Sequence, residues 1–431
     1  MKKKILMICY YYPPLRDVGC RRSVALSKYI SQHGWEPYVI SVKNPDKEYC
    51  NIGNTLPPEN VYTYYTYSII NPYKLLGKIN GAISRLLTLI FNFKLTRNYL
   101  YDIFCIPDIF FGWIPFTLLK AIKLIKEKKI DLIYCSCPPV SSAVIGTFIK
   151  NITNKRLIID FRDPIPSDVY VWKFPSPPPL FKKKLDRIIA NWFFNNCDMF
   201  ITTSNELKNI YITKYPQLKN KAFTIYNGFE DSIYKVAFNK NKTKFQKFTI
   251  IYAGNFYWQY GNPEIFFQAL AILKRNERIN TKNFQFLYYG VNKNDIKNIS
   301  KKYKIDDIVS AENFREYEYI VNKIIKSHLQ LLRIARPMIT TKLFEGIMLN
   351  IPFLALINYK EVEDIINKYS PSSYIIKTDS PKDIINAIMD AKEKYNKNMI
   401  KDNRIYEFST IFSRKNQILR LIDIINNQLV L

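Results

Sequence analysis

Short apolar runs alternate with stretches of helical spacing from one end of the chain to the other. The first run, Ile5–Cys9, predicts a buried parallel strand, because a strand covered on both faces reads as continuously apolar. The next stretch, YYYPPLRDVGCRR from Tyr10 to Arg22, predicts a loop. Its prolines forbid a helix, and Gly19 permits close backbone approach. Arg21 and Arg22 then open a helix in which Val24, Leu26, Tyr29 and Ile30 recur at roughly helical spacing, ended by Gly34. Tyr38–Val42, Ile130–Cys135, Arg156–Ile159, Asp198–Thr203 and Phe223–Tyr226 continue the series of strands. After Cys135 the Pro138 and Pro139 pair breaks the chain, and Ser141 or Ser142 is placed to cap an apolar helix. Asp160 to Pro164 (DFRDP) falls at the carboxyl end of a strand, where open α/β sheets present ligand residues. Either Asp160 or Asp163 is placed to pair with Arg162. Pro175 to Pro179 predicts an extended loop, Phe181 to Asn195 a basic amphipathic helix, and Ser204 a cap for a helix starting at Asn205.

Val236 to Lys247 is polar and lysine-rich and predicts a junction, after which Phe248–Ala253 restarts the pattern. Asn262 as cap, Pro263 at the first helical position and Glu264 beside the helix dipole predict a helix with Phe266, Ala269, Leu270 and Leu273 buried. Strands follow at Phe284–Tyr289, Asp307–Val309, Leu329–Leu332 and Phe353–Ile357. Before the last of these, a loop with Arg336, Pro337, Thr340 and Thr341 opens a short helix from Leu343 to Leu349, ended by Asn350. Lys342 and Glu345 sit at its start. A helix N-terminus offers unpaired N–H groups and partial positive charge to a phosphate, and an acid just inside it is placed to accept from a ribose diol. By itself this stretch is better read as an ordinary helix with a capping acid. A long helical pattern, Ser413 to Leu429, closes the chain. Both halves open strand, loop, helix, strand. That predicts an α/β protein of two Rossmann-like doubly wound domains facing across a cleft: 1–235, 236–405, and a closing segment 406–431 that returns to the first domain.

Size agrees, since 431 residues exceed one ordinary core. The net charge of +28 points to an anionic partner: nucleic acid, nucleotide phosphate or an anionic lipid surface. The same surplus also fits a lysine-rich compositional bias. No nucleic-acid recognition motif and no aromatic-basic platform for a single strand accompanies it, so nucleic acid is set aside. Ser68 to Leu119 mixes Lys74, Lys78, Arg85, Lys94 and Arg97 with Leu75, Leu76, Ile79, Leu86, Leu87, Leu89, Ile90, Phe91 and Phe93. No apolar run there reaches the roughly 18 residues a spanning helix needs. The region reads either as an amphipathic surface lying on a membrane or as a domain helix with a solvated basic face. The cysteines, Cys9, Cys20, Cys50, Cys105, Cys135, Cys137 and Cys197, show no zinc spacing. With no signal peptide pattern they suggest a reducing cytoplasm. Only His33 and His328 are present, far apart in sequence, which disfavours His-based triads or metal sites.

By these residues the chain resembles the retaining glycosyltransferase family 4, a GT-B family, and within it the bacterial capsule and O-antigen branch. The matching segments are YYPPLRDVGCRR, DLIYCSCPP from Asp131, LIIDFRDP from Leu157, NGFE from Asn227, IIYAGNFY from Ile250 and TKLFEGIMLNIPFLAL from Thr341. None is specific alone; their order and spacing are. The resemblance implies that Gly19 approaches the donor diphosphate, and that Arg162 stands where many members carry a catalytic histidine, with Asp163 beside it. It implies that Glu345 is the second acid of a Glu-x7-Glu element holding the nucleotide ribose. Asn227 and Gly228 match the turn near the domain junction. Gly254, Asn255, Arg336, Thr341, Lys342 and Arg22 complete the implied donor site.

Two departures stand out. The first acid of Glu-x7-Glu falls at Pro337, and the basic pair many members carry after the first strand of the second domain falls near Asn255 and Tyr260. The diphosphate charge is then left to Lys342, Arg336, Arg333 or Arg22 and to helix amides. The expectation is a hexosyltransferase that takes a nucleotide-diphosphate sugar, UDP-linked by the habits of the family, as co-substrate, with no cofactor and no metal. Its acceptor is a lipid-linked saccharide in surface polysaccharide synthesis, reached from the inner face of the cell membrane. The rival reading is a catalytically degenerate scaffold of the same fold.

Overall fold

The computed structural model describes residues 2–45, 50, 53, 56–69, 73–95, 98–164, 178–237, 243–256, 264–334 and 338–429. Contacts divide the chain into two units, 1–227 with 414–431, and 228–413. The divisions fall at Asn227/Gly228 and Ser413/Arg414, where the sequence pattern suggested 235/236 and 405/406. Gly228 has φ 62°, so the chain turns there in a conformation that favours glycine.

The first unit runs β1 (Lys3–Ile8), α1 (Val18–Ser31), β2 (Trp35–Val42), β3 (Tyr62–Thr66), α2 (Tyr73–Phe91), α3 (Tyr99–Phe104), α4 (Ile114–Lys128), β4 (Leu132–Cys137), α5 (Val140–Thr153), β5 (Arg156–Phe161), α6 (Leu180–Asn196), β6 (Met199–Thr202), α7 (Asn205–Lys214) and β7 (Ala222–Thr224). The strands form a parallel sheet in the order β3-β2-β1-β4-β5-β6-β7. Ile5 pairs with Pro37 on one side and Leu132 on the other, so the order reverses between β1 and β4. Loops leaving two such strands diverge and open a crevice at their carboxyl ends. The apolar runs are buried on both faces, as continuous runs require.

The second unit runs α8 (Asp231–Ala237), β8 (Phe248–Ala253), α9 (Glu264–Arg275), β9 (Phe284–Tyr289), α10 (Lys293–Lys302), β10 (Val309–Glu312), α11 (Tyr317–Lys326), β11 (Leu329–Ile334), α12 (Thr341–Met348), β12 (Phe353–Ile357), α13 (Lys360–Tyr369), β13 (Tyr374–Ile376), α14 (Pro381–Asn396) and α15 (Ile405–Phe412). Its parallel sheet has the order β10-β9-β8-β11-β12-β13, which reverses between β8 and β11. The closing helix α16 (Arg414–Gln428) belongs to the first unit. There Ile418, Leu421, Ile422 and Ile425 pack with Ile5, Met7, Leu26 and Ile30. Fully burying such side chains contributes about 1.5–3 kcal/mol each before entropy is counted.

Three details differ from the sequence pattern. The closing helix expected over Ser413 to Leu429 forms as α16, but the start of the 406–431 segment belongs to a separate helix, α15, in the second unit. Ser413 is extended (φ −63°, ψ 143°) between α15 and α16, so the chain changes units there. The cap of α5 is neither Ser141 nor Ser142: the Asp108 carboxylate accepts from the Ser141 N–H (3.0 Å) and Oγ (2.6 Å). A carboxylate from a distant loop thus already fills the anion site of that helix. The edge strands β3, which mixes tyrosine with threonine, and β13, only three residues long, were not anticipated; Tyr62 of β3 is held by stacking on Tyr38 at 5.0 Å. Ser204 does cap α7, accepting from Leu207 N–H at 3.1 Å. Arg97, Tyr260, Asn262, Pro263, Arg336, Pro337 and most of the Pro175 to Pro179 stretch lie outside the described residues, as does the side chain of Lys74.

His328 is structural. Its Nδ1 accepts from the Thr249 N–H at 3.0 Å, which requires that nitrogen to be unprotonated. Its ring packs on Phe248 and Tyr395. Burial, with a smaller push from the Lys244 charge, lowers its pKa from 6.5 to about 4. Because the folded value is depressed, the stabilisation is present above pH 6.5 and is lost as pH falls towards about 4. Relative to a His328→Gln variant, the protein is expected to lose on the order of 2–3 kcal/mol of unfolding free energy across that window. Denaturant titrations of both at stepped pH would show it; parallel stability curves would discard a neutral buried His328.

Candidate functional site

Two clusters of chemistry-bearing residues form, one in each unit, each at the carboxyl end of the sheet where strand order reverses.

In the first unit the Cys9 to Asp17 loop leaves β1. Tyr10 is buried against Phe110 (4.5 Å between ring centres) and Trp113 (5.2 Å), which fixes the loop. Arg162 follows β5. Its N–H donates to Cys137 O (2.8 Å), and its Nη2 donates to Pro138 O (2.7 Å). Thr203 Oγ1 donates to its carbonyl at 3.1 Å, and its guanidinium lies 5.7 Å from the centre of the Tyr11 ring. A Cβ on Gly19 would stand 2.4 Å from Arg162 Nη1. The glycine at position 19 makes room for this guanidinium. Arg162 is buried, and no carboxylate pairs with it among the described residues. Its Nε has no partner there either. A buried cation with spare donors gains from an anionic or strongly polar ligand. Asp163 is half-buried beside it.

Asp160 does not pair with Arg162. Its Oδ2 accepts from Arg22 Nε at 2.6 Å and from the Tyr134 hydroxyl at 2.5 Å. Arg22 Nη1 also donates to Ile225 O (2.9 Å) and Tyr226 O (3.2 Å). Burial and the Asp160 charge keep the Tyr134 phenol protonated far above its ordinary range. Arg22, placed by sequence among the donor ligands, is thus buried and neutralised by Asp160. It clamps α1 to β5 and to the chain after β7, with Nη2 left without a hydrogen-bond partner among the described residues.

In the second unit Gly254 follows β8 with φ 131°, a conformation side chains rarely adopt. Its N–H donates to Tyr289 O at 2.7 Å, and its carbonyl accepts from the Tyr288 hydroxyl at 3.0 Å. A Cβ there would lie 2.3 Å from Lys342 Nζ. Lys342 reaches back from the first turn of α12, donating to the Tyr252 hydroxyl at 3.2 Å, with its amine 4.3 Å from the centre of that ring. Arg333, near the end of β11, donates from Nη1 to Phe256 O at 2.5 Å. Burial pulls its guanidinium below the usual arginine range. Lys342 of α12 and Arg333 of β11 thus lie against Tyr252 and Phe256, near the loop that leaves β8. Asn255 presents its carbonyl to the Tyr252 hydroxyl at 2.7 Å.

Thr341 is the first residue of α12. Thr340, at the cap position, makes no side-chain cap bond, so the leading N–H groups are not satisfied by a cap. Glu345, half-buried one turn after Lys342, accepts from the Tyr317 hydroxyl at 3.0 Å. Phe344 packs instead on Phe412 of α15, which turns Lys342 and Glu345 away from that contact. Cations, open helix amides and one acid a turn further along can take an anionic diphosphate and a diol.

Sequence reasoning missed Tyr11, Tyr252 and Tyr317. A tyrosine near the carboxyl end of an apolar strand is a usable signal for Tyr252; Tyr317 gives none.

The Glycosyltransferase Family 4 model matches residues 21–232. No curated protein matches the sequence. Among solved structures, Anabaena HepE in complex with UDP-glucose superposes with a TM-score of 0.63 at 12% identity, covering 97% of this chain and 99% of that one. The lipopolysaccharide outer core galactosyltransferase WaaB, in its apo form, gives 0.61 at 12% identity, covering 99% and 100%. WaaG, a glycosyltransferase involved in lipopolysaccharide biosynthesis, gives 0.60 at 11% identity, covering 98% and 100%. At such identities these neighbours establish the fold, which is the GT-B fold of two parallel-sheet α/β domains.

Proposed function

We propose, from the premise that this chain belongs to glycosyltransferase family 4 and has the GT-B fold, that it moves a hexosyl unit from a nucleotide-diphosphate sugar to a lipid-linked saccharide with retention of configuration. The observation carrying the donor half is Lys342 seated against Gly254, with Arg333 at the Phe256 carbonyl and Glu345 one turn further along α12, whose start Thr340 does not cap. The leaving diphosphate accumulates negative charge as the glycosidic bond breaks. Fixed cations and amides placed beforehand stabilise that charge without reorganising. Lys342 and the α12 amides take the phosphates in this reading, with Arg333 behind them, and Glu345 accepts from the ribose hydroxyls. Because the chain's own cations meet the charge, no metal or other cofactor is assigned. Arg162 and Asp163 are assigned to the sugar and acceptor side, where the buried guanidinium has donors to spare. UDP is the preferred nucleotide, in line with the UDP-glucose complex of the HepE neighbour. The acceptor places the enzyme on the inner face of the cell membrane.

Thermal shifts with UDP, GDP, ADP and their sugars identify the donor. Calorimetry with the best ligand then tests the site. Glu345→Ala is expected to weaken binding by roughly 10- to 100-fold, the cost of losing hydrogen bonds to a charged group. Unchanged affinity removes Glu345 from the site. Donor binding without transfer to any acceptor in membrane extract would favour the scaffold reading, to which the proline at position 337 already points.

A further inference from the structure

A helix at the surface of a water-soluble domain turns its apolar stripe inward. Helix α2 does the reverse. Leu75, Ile79, Ile83, Leu86 and Ile90 recur every three to four residues along one face, and all are exposed, Leu86 by 57% and Ile90 by 60%. Leu89, at the edge of that stripe, is 85% exposed. The inward face carries Asn80 and Ser84 together with the half-buried Leu76 and Leu87. Asn80, only 9% exposed, accepts from Tyr99 N–H at 3.1 Å, and Ser84 Oγ accepts from Leu95 N–H at 3.0 Å. The inversion is fixed by hydrogen bonds from the following segment and is not a matter of side-chain choice. Beside α2, Ile103 and Phe104 of α3 are also exposed. Lys182 of α6 donates to Pro107 O at 3.3 Å, which brings the exposed Leu180 and Phe181 to the same neighbourhood.

Charge selects the occupant. Helix α2 contains no acidic residue. Lys78 and Arg85 are exposed along one border of the stripe, and Lys94 follows. The whole chain carries +28, so pairing this face with a second copy would bring like charges together. No described helix is long and apolar enough to cross a membrane. We propose that α2 lies in the plane of an anionic lipid surface, its apolar stripe sunk among the acyl chains and its cations at the phosphate level.

The test uses the full chain and sedimentation with vesicles of phosphatidylcholine alone or mixed with an equal part of phosphatidylglycerol. The unaltered protein is expected to sediment with the mixed vesicles. Leu86→Glu with Ile90→Glu is expected to abolish this while leaving the melting temperature unchanged, since both positions already face outward. Lys78→Gln with Arg85→Gln is expected to weaken binding to mixed vesicles by on the order of fivefold per cation, with little change on neutral ones. The proposal is overturned if the unaltered protein stays in solution with both vesicles, or if the glutamate variant sediments like its parent. It is also overturned if those glutamates dissolve a dimer while vesicle binding is absent, which would give the face to a second copy. The readout needs no enzymatic activity, so vesicle binding without sugar transfer leaves this inference standing and counts against the donor-site reading alone.

Discussion

Replacing Lys342 by methionine is expected to lower kcat/KM for the donor by about 100- to 1,000-fold, the range seen when one preorganised stabiliser of developing charge is removed. Methionine keeps much of the length of the side chain and removes its charge. Lys342 is half-buried against the hydroxyl and ring of Tyr252, and a methionine keeps the apolar contact with that ring. If the amine stabilises the leaving diphosphate mainly in the transition state, kcat falls more than donor affinity does. If it binds ground state and transition state alike, KM rises and kcat holds. Initial rates with the donor found by thermal shift separate these cases. A rate within about threefold of the parent, against the larger loss expected of an electrostatic stabiliser, would remove Lys342 from the diphosphate site.

The largest effect on stability is expected at Asp160. Asp160→Ala leaves the Arg22 guanidinium buried without its carboxylate and the Tyr134 hydroxyl without its acceptor. Breaking one side of a buried pair costs about 3–5 kcal/mol. Removing both charges, as in Arg22→Met with Asp160→Leu, is expected to recover most of that loss, because desolvation had offset much of the attraction between them. Urea unfolding followed through the first unit compares the three proteins. A single substitution costing under about 1 kcal/mol, well short of the usual penalty, would mean that the pair is not buried in solution. If the single variant fails to fold, the double variant still decides the matter, since a merely essential Asp160 would not be rescued by losing Arg22 as well.

The strands that build both sheets were legible because parallel strands are buried on both faces and leave continuous apolar runs. Ile5 to Ile8 and Phe248 to Ala253 are the clearest cases. β3 and β13 were not legible. β3 mixes tyrosine with threonine, and β13 is only three residues long, so neither leaves a sustained apolar run. The cap of α5 was misjudged because the carboxylate that fills it comes from Asp108, more than thirty residues upstream. Sequence spacing sees neighbours along the chain and is blind to neighbours across it. The same blindness suggested a partnership of Asp160 with Arg162, two residues away. Arg162 stands just past the end of β5 and donates to the Pro138 carbonyl, while the Asp160 carboxylate found Arg22 across the fold.

By itself the sequence determined the α/β class, the repeated strand-loop-helix-strand opening, and the loops that carry chemistry, because periodicity and punctuation are local properties. Only the folded chain decided what each charge stands against. Arg22 is neutralised by Asp160, while Gly19 and Gly254 each leave the space that one cation, Arg162 or Lys342, occupies. It also decided that α2 turns its apolar stripe outward, since hydrogen bonds to Asn80 and Ser84 from the segment that follows set which face is buried. Composition fixes how much charge and apolar surface a chain owns. Long-range contacts fix where each is shown, because the cost of burying a charge or exposing a stripe depends on what stands opposite it.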